Sequence, residues 1–414
     1  MQEPNDSSNP INQRSDAPPA SEPVLLVPGS TIREPSLAGS KVIIVCMILL
    51  IAMGMTNLYS AASGTNLFWS QLRNLFLGFG AFIVFGWFIP PKVLNTYAYW
   101  FYGFVCLLLI LVDITGNIAG GSQRWLRVGG FAFQPSEFAK ISIVIIVAKF
   151  FFTSRLSRPY SLRDLAPLAG IVSIAFALIF AQPDLGTAGV CAIIATLQLA
   201  FVRINFKSLR TVGVTGILIM VFAWFFLLHD YQKLRVLNLL NPEMDPTNTG
   251  YNALQSLVAI GSGKFAGKGY LLGTQNHLQF LPARHTDFIF AVFSEEHGFL
   301  GATVLFTLFA LIIYSGLLIA RQARDIFASL LAVGCSSIIF VSFMINCSMV
   351  LGLFPVVGVP LPFFSYGGTA LIMFCSSLGI LVGVERDSIG LFRKAHPFNV
   401  GRKSASGRSQ KAGF

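Results

Sequence analysis

Polar and titratable groups crowd into one stretch of an otherwise apolar chain. Residues 251–300 read YNALQSLVAIGSGKFAGKGYLLGTQNHLQFLPARHTDFIFAVFSEEHGFL, so glycines and lysines lead into Arg284, His285, Thr286 and Asp287 just before an apolar helix. An aspartate at a helix start can cap it. An ionised, poorly hydrated carboxylate can equally serve as a general base. Capping alone leaves Arg284 and His285 unexplained, and ionisable groups at the mouth of a membrane segment point to function. Both readings of Asp287 stay open here. Burial would lift its carboxyl above the usual ~3.9, and neighbouring basic groups would lower it.

Other groups have informative spacing. Glu137 and Lys140 are three apart at the top of an apolar run, which puts them on one helix face as a structural ion pair or part of a site. Glu295, Glu296 and His297 fall inside the helix that follows Asp287, so a polar cavity or a break at Gly298 is expected. Gln182, Asp184 and Thr187 punctuate a turn between two spans, where Asp184 can cap the second. Arg124-Trp125-Leu126 sits in a Gly-studded loop; Trp125 suits a membrane interface, or a sugar face with Arg124 beside it for phosphate.

Arg124, Arg127, Lys233, Arg235, Lys264, Lys268 and Arg284 fall in two long loops on one side of the membrane. They can meet lipid headgroups, or together bind a phosphate or pyrophosphate. The segment 354–368, FPVVGVPLPFFSYGG, is irregular backbone at membrane depth and must be buried in protein or line a cavity. Leu254, Leu257 and Val258 make one apolar face, suggesting an interfacial helix. His285 with Asp287, or His277, could contact a divalent cation, though no spacing is diagnostic of one. No P-loop or dinucleotide fingerprint is present. An enzyme facing outward meets no nucleotides, so its donor must carry its own leaving group, and a lipid-linked pyrophosphate is the obvious kind.

The elements that must position these groups are membrane helices. The 414 residues are 54% hydrophobic and only 11% charged, with a mean hydropathy of +0.69. Soluble domains are about a quarter charged. The fold class expected is an all-α integral membrane protein, a polytopic bundle of about ten transmembrane helices. Spans are expected near 42–60, 71–89, 96–113, 137–153, 166–183, 185–202, 210–229, 287–320, 327–350 and 369–384, with nine or eleven as variants because 166–202 is one stretch broken only at Gln182-Pro183-Asp184. The six cysteines fall in apolar runs as small buried hydrophobes, not as a disulfide frame or zinc cluster.

Residues 1–40 read as a disordered tail, 41–386 as the membrane domain and 387–414 as a basic tail. Lysines and arginines of the short loops and the C-terminal tail put both termini in the cytoplasm. The long loops, 114–136 and the larger 230–286 between helices seven and eight, then face outward. The net charge of +11 therefore reports topology; nucleic acid is not an expected partner.

GSQRWLRVGGFAFQPSEFAKI, AQPDLGTA, YNALQSLVAIGSGKFAGKG, GTQNHLQFLPARHTDFIFAVFSEE and LPFFSYGGTALI together resemble the SEDS family (shape, elongation, division and sporulation), from about residue 42 to 386. The QPDLGT, IGSGKFAGKG and GTQNHLQFLP motifs are closer to its rod-shape branch than to its division branch. The resemblance implies a peptidoglycan glycosyltransferase that polymerises lipid II into glycan strands at the outer face of the bacterial inner membrane. It would work with a class B penicillin-binding protein and other membrane proteins of the elongation complex. Asp287 matches the family's essential aspartate and would be the catalytic base. Trp125, Arg124, Glu137, Lys140, Asp184, Arg235, Gln255, Lys268, His285 and Ser365 are the candidate substrate contacts. No cofactor is required by the motifs; a divalent cation, magnesium or manganese, is the candidate. The family often has Glu where this chain has Ala283 and Gly where it has Lys264, so no glutamate role is carried to position 283. A lipid II flippase, a division-type polymerase and a scaffold without chemistry are the rival expectations.

Overall fold

The computed structural model describes residues 37–62, 66–119, 122–128, 131–154, 156, 158–226, 228, 230–240, 249–277 and 283–392. The expected terminal tails lie almost wholly outside these residues. All ten expected spans are helical: α1 Ala38–Ala62, α2 Leu67–Ile83, α3 Pro91–Thr115, α4 Pro135–Thr153, α5 Leu162–Ala181, α6 Leu185–Leu199 and α7 Phe206–Phe226 come first. The loop helices α8 Asp230–Leu240, α9 Thr249–Gly263 and α10 Thr274–His277 follow, then α11 Ile289–Gln322, α12 Ile326–Val350 and α13 Gly368–Ser388. A π-helical turn, Val84–Phe88, extends α2. Eight of these helices are long and apolar enough to cross a membrane. The other two, α4 and α6, are inner helices: α4 carries Glu137, Lys140 and Lys149 and is buried along most of its length, and α6 has only 15 residues.

Apolar character on every side marks a helix enclosed by others, and α12 and α13 are the most enclosed spans. Around them α11, α4, α6, α1 and α2 form the inner bundle, while α7 leaves nearly all of its described side chains exposed, as a lipid-facing helix does.

The loop after α3 holds a small antiparallel meander that helix-based reading does not foresee: β1 Asn117–Ala119, β2 Ser122–Val128 and β3 Phe131–Phe133, in that order across the sheet. Its sequence signal is two Gly-Gly pairs flanking the short β-prone run of β2. The sheet fixes Arg124 and Trp125 on a rigid strand. Helix α9 exposes Leu254, Leu257 and Val258, as its interfacial pattern requires.

The expected break in the eighth span is present. Gly298 takes φ +62° and ψ −159° inside α11, a conformation open essentially to glycine alone. The interrupted helix frees backbone groups at membrane depth, where each must find a protein partner. Residues 264–269 supply them: the amides of Lys268 and Gly269 donate to the carbonyls of Glu295 and Glu296 (3.0 Å each). The amides of Phe299 and Leu300 donate back to Lys264 (3.0 Å) and Phe265 (3.1 Å). Lys264 itself takes φ +49°, which explains a glycine preference at that position. A Cβ at Gly298 would lie 2.3 Å from the Gly267 amide nitrogen. Gly298→Ala is therefore expected to cost at least about 3 kcal/mol, read as a large drop in the melting temperature of the purified protein.

Candidate functional site

Asp287 lies in the turn that feeds α11 and is partly exposed. Ala283 opens the turn at φ +50°, and its carbonyl accepts from the amides of Thr286 (3.0 Å) and Phe288 (3.3 Å). The carbonyls of His285, Thr286 and Asp287 are each held, two by the segment that joins α12 to α13 and one by α12 itself. His285 O receives the Tyr366 amide (2.9 Å), Thr286 O the Ser365 hydroxyl (2.6 Å) and Asp287 O the Asn346 side-chain amide (2.9 Å).

The gripping segment is the irregular 354–368 run, and its own polar groups are satisfied as burial demands. Asn346 also donates to Val359 O (2.8 Å) and Ser365 Oγ accepts the Leu361 amide (2.8 Å). Gln71 of α2 donates to Ser365 O (3.2 Å) and accepts from the Gly367 amide (3.3 Å). Close backbone approach seats the run on both sides. A Cβ at Gly54 of α1 would be 2.4 Å from Phe363 O, and one at Gly186 of α6 would be 2.6 Å from Val357 O. Gly358 faces Asp287 directly: a Cβ there would sit 3.5 Å from Oδ2.

Burial pushes the Asp287 carboxyl up from its ordinary 3.8 to about 6, against the charges of Arg235 and Arg124, which pull it down. Those two arginines come from separate elements of the two long loops, α8 and β2. Arg124 donates to Pro183 O (3.2 Å) and lies 3.4 Å from the Asp184 carboxylate. Asp184 caps α6 by accepting the Thr187 amide (3.1 Å), so its capping reading holds, with the Arg124 pair added to it. Tyr231 of α8 donates to the same Pro183 carbonyl (3.4 Å), with the Arg235 guanidinium 5.9 Å from its ring. The α5–α6 turn thus ties both arginine-bearing elements to one point.

Beneath it, Glu137 and Lys140 form their expected pair at 2.7 Å, both almost fully buried. The pair lies in the first two turns of α4, which packs against α6, the helix that Asp184 caps. Burial, and then Arg284, keep His285 below its ordinary pKa, so it is neutral at pH 7. Its ring lies 6.4 Å from that of Tyr366.

Some expected contacts fall elsewhere. Strand alternation points Trp125 to the face opposite Arg124. The Lys268 ammonium is taken by Glu295 (2.6 Å) and Thr274 (2.7 Å), at the helix break. The Ser365 hydroxyl is committed to backbone on both sides, which makes it a scaffold group. Gln255 sits half-buried on α9. Arg284 Nε donates to Ala61 O (3.0 Å). The single basic cluster expected of the long loops is thus divided: Arg124 pairs with Asp184, Arg124 and Arg235 both act on Asp287 through their charge, and Lys268 pairs with Glu295.

Among the described residues no three His, Cys, Asp or Glu side chains gather as a metal site, and the charged groups acting on Asp287 are guanidinium groups. A magnesium or manganese ion at this turn would take the Asp287 carboxylate and draw its other oxygens from substrate phosphates and water. Asn346 and Gln71 escaped sequence reading, although Asn346 is the lone amide of an apolar helix and Gln71 stands three residues from Asn74 in another, a signal that marks intramembrane function.

A multi-pass helical bundle, with a carboxylate at the mouth of a span under the charges of two arginines from its long loops, defines the class: a polytopic helical membrane protein with an ionisable group at the start of a span. The chain belongs to the FtsW/RodA/SpoVE family: that family model, described as cell cycle protein, matches residues 37–389. It is 45% identical over 300 residues to the peptidoglycan glycosyltransferase MrdB of Escherichia coli K12, spanning 72% of this chain and 80% of that one. A chain from a solved peptidoglycan synthase complex, described as coordinating polymerization and crosslinking, superposes with a TM-score of 0.73 at 29% identity, over 84% of this chain and 98% of that one. The rod shape determining protein RodA of Thermus thermophilus superposes with a TM-score of 0.62 at 26% identity, over 84% and 96%.

Proposed function

We propose that this chain polymerises lipid II by glycosyl transfer, with Asp287 as general base. The observation that carries the assignment is the Asp287 carboxylate, held near pKa 6 by burial while Arg235 and Arg124 face it from two elements of the long loops. Asp287 takes the proton from the 4-hydroxyl of an N-acetylglucosamine. The oxygen forms a bond to the anomeric carbon of a lipid-linked N-acetylmuramic acid from the face opposite the leaving group. The bond to undecaprenyl pyrophosphate breaks, and its electron pair leaves with the pyrophosphate, so the anomeric centre inverts. Arg124 and Arg235 stabilise the charge that develops there.

The family relationship supports placing this chemistry at the outer face of the inner membrane, with both termini cytoplasmic. Likeness to a chain of a synthase complex supports a crosslinking partner, a class B penicillin-binding protein. The purified chain with such a partner should convert lipid II to glycan strands without added energy. Translocation of labelled lipid II across liposomes without polymer would instead make it a carrier.

The reaction needs the ionised carboxylate. With a pKa of about 6, roughly a tenth of Asp287 is ionised at pH 5 and nine-tenths at pH 7. The initial rate should therefore rise about tenfold between these pH values. Arg235 lowers this pKa, so Arg235→Gln should move the acidic limb of the profile to higher pH.

A further inference from the structure

We propose that Asn346 is a positioning residue for the glycosyl transfer: its amide sets where the Asp287 carboxylate stands. This rests on Asp287 as the base.

Asn346 is fully buried in α12, and its Nδ2 donates both hydrogens, to Asp287 O (2.9 Å) and to Val359 O (2.8 Å). Only a group with two hydrogens on one nitrogen bridges two carbonyls in this way. The bridge joins the backbone of the base to the strand-like run that carries Gly358, the residue packed on Asp287 Oδ2. Ser365 repeats the arrangement one residue earlier, at Thr286 O, and the Tyr366 amide repeats it at His285 O. Three consecutive carbonyls of one turn are thus held by α12 and the segment that follows it. The carboxylate stands on that turn, and among the described residues it receives no side-chain hydrogen bond that would hold it otherwise. Its position relative to substrate is inherited from backbone that Asn346 and Ser365 fix.

A displacement of about 1 Å at a reacting group can cost about 10²-fold in rate. Asn346→Ala should therefore lower kcat by about 30-fold or more, with KM for lipid II within about twofold, because no group that grips substrate is removed. Ser256→Ala is the control for a loss that is only structural. Its buried hydroxyl donates to Val350 O (2.8 Å) at the end of the same helix without touching the Asp287 turn. It should lower the melting temperature comparably and leave kcat unchanged.

Initial rates against lipid II concentration on the purified chain with its crosslinking partner read all three proteins. Wild-type kcat in folded Asn346→Ala, or an equal kcat loss in Ser256→Ala, overturns the proposal. If Asn346→Ala does not accumulate folded, Ser365→Ala carries the test with the same two outcomes. Asp287→Asn run alongside separates the levels. Polymerisation by that variant would overturn the base itself. An inactive Asp287→Asn beside a fully active Asn346→Ala would overturn only the positioning role.

Discussion

Asp287→Asn is expected to reduce lipid II polymerisation by about 10³-fold or more while leaving the protein at least as heat-stable as the parent. A positioned base contributes about 10²–10⁴-fold, and the described groups around Asp287 are poorly placed to replace it. Burial and Arg284 hold the His285 pKa below its ordinary value, so it is a weaker base than a free imidazole. Lys268 is committed to Glu295, and the other facing charges are guanidinium groups, which do not accept protons.

The stability half of this expectation follows from linkage. A carboxyl whose folded pKa is raised binds its proton more tightly in the folded state than in the unfolded one. The fold is then most favoured at low pH and loses that advantage as pH rises from the unfolded value of about 3.9 through 6. At pH 7 the ionised Asp287 is a net burden, and Asn removes the charge while keeping the shape. Assaying purified parent and variant for glycan product and melting temperature tests both halves. Strand synthesis at parental rate would reject the base, and a collapse in melting temperature would make the side chain structural.

The parts of this site that a reader of the sequence could reach were those set by local spacing. The i, i+3 pair of Glu137 and Lys140, the irregular run at 354–368 and the break at Gly298 all follow from a few adjacent residues, and all are present. The spans were legible too, because a bilayer demands a long apolar run whatever its neighbours are. Which outer cations reach Asp287 was not. Arg124 and Arg235 arrive through a β-meander and a short amphipathic helix whose placement depends on contacts far away in sequence, including the shared Pro183 carbonyl. Lys268 looked equivalent to them in sequence, yet it neutralises an acid 27 residues on. Ser365 sat in a suggestive motif but spends its hydroxyl on backbone. Asn346 was overlooked among apolar neighbours because its partners are carbonyls, which leave no trace in residue identity.

Lys140→Met is expected to be the most damaging substitution outside the turn. It would leave the Glu137 carboxylate almost fully buried without its cation, and breaking such a pair from one side costs about 3–5 kcal/mol. Removing both charges is a different matter, since a neutral pair of similar volume is often as stable as the ion pair. The double variant Glu137→Gln with Lys140→Met should thus regain most of the parental melting temperature. It should not regain the rate. The second Glu137 oxygen is buried and has no hydrogen-bond donor among the described residues, and such an atom in a fully closed core would cost about 1–3 kcal/mol. A substrate hydroxyl or amide is the natural donor, since α4 packs against α6, the helix capped by Asp184, the partner of Arg124. Polymerisation by the double variant should stay at least about tenfold below parent. Recovery of stability and rate together would reduce the pair to a structural ion pair, while recovery of stability alone places it in contact with substrate.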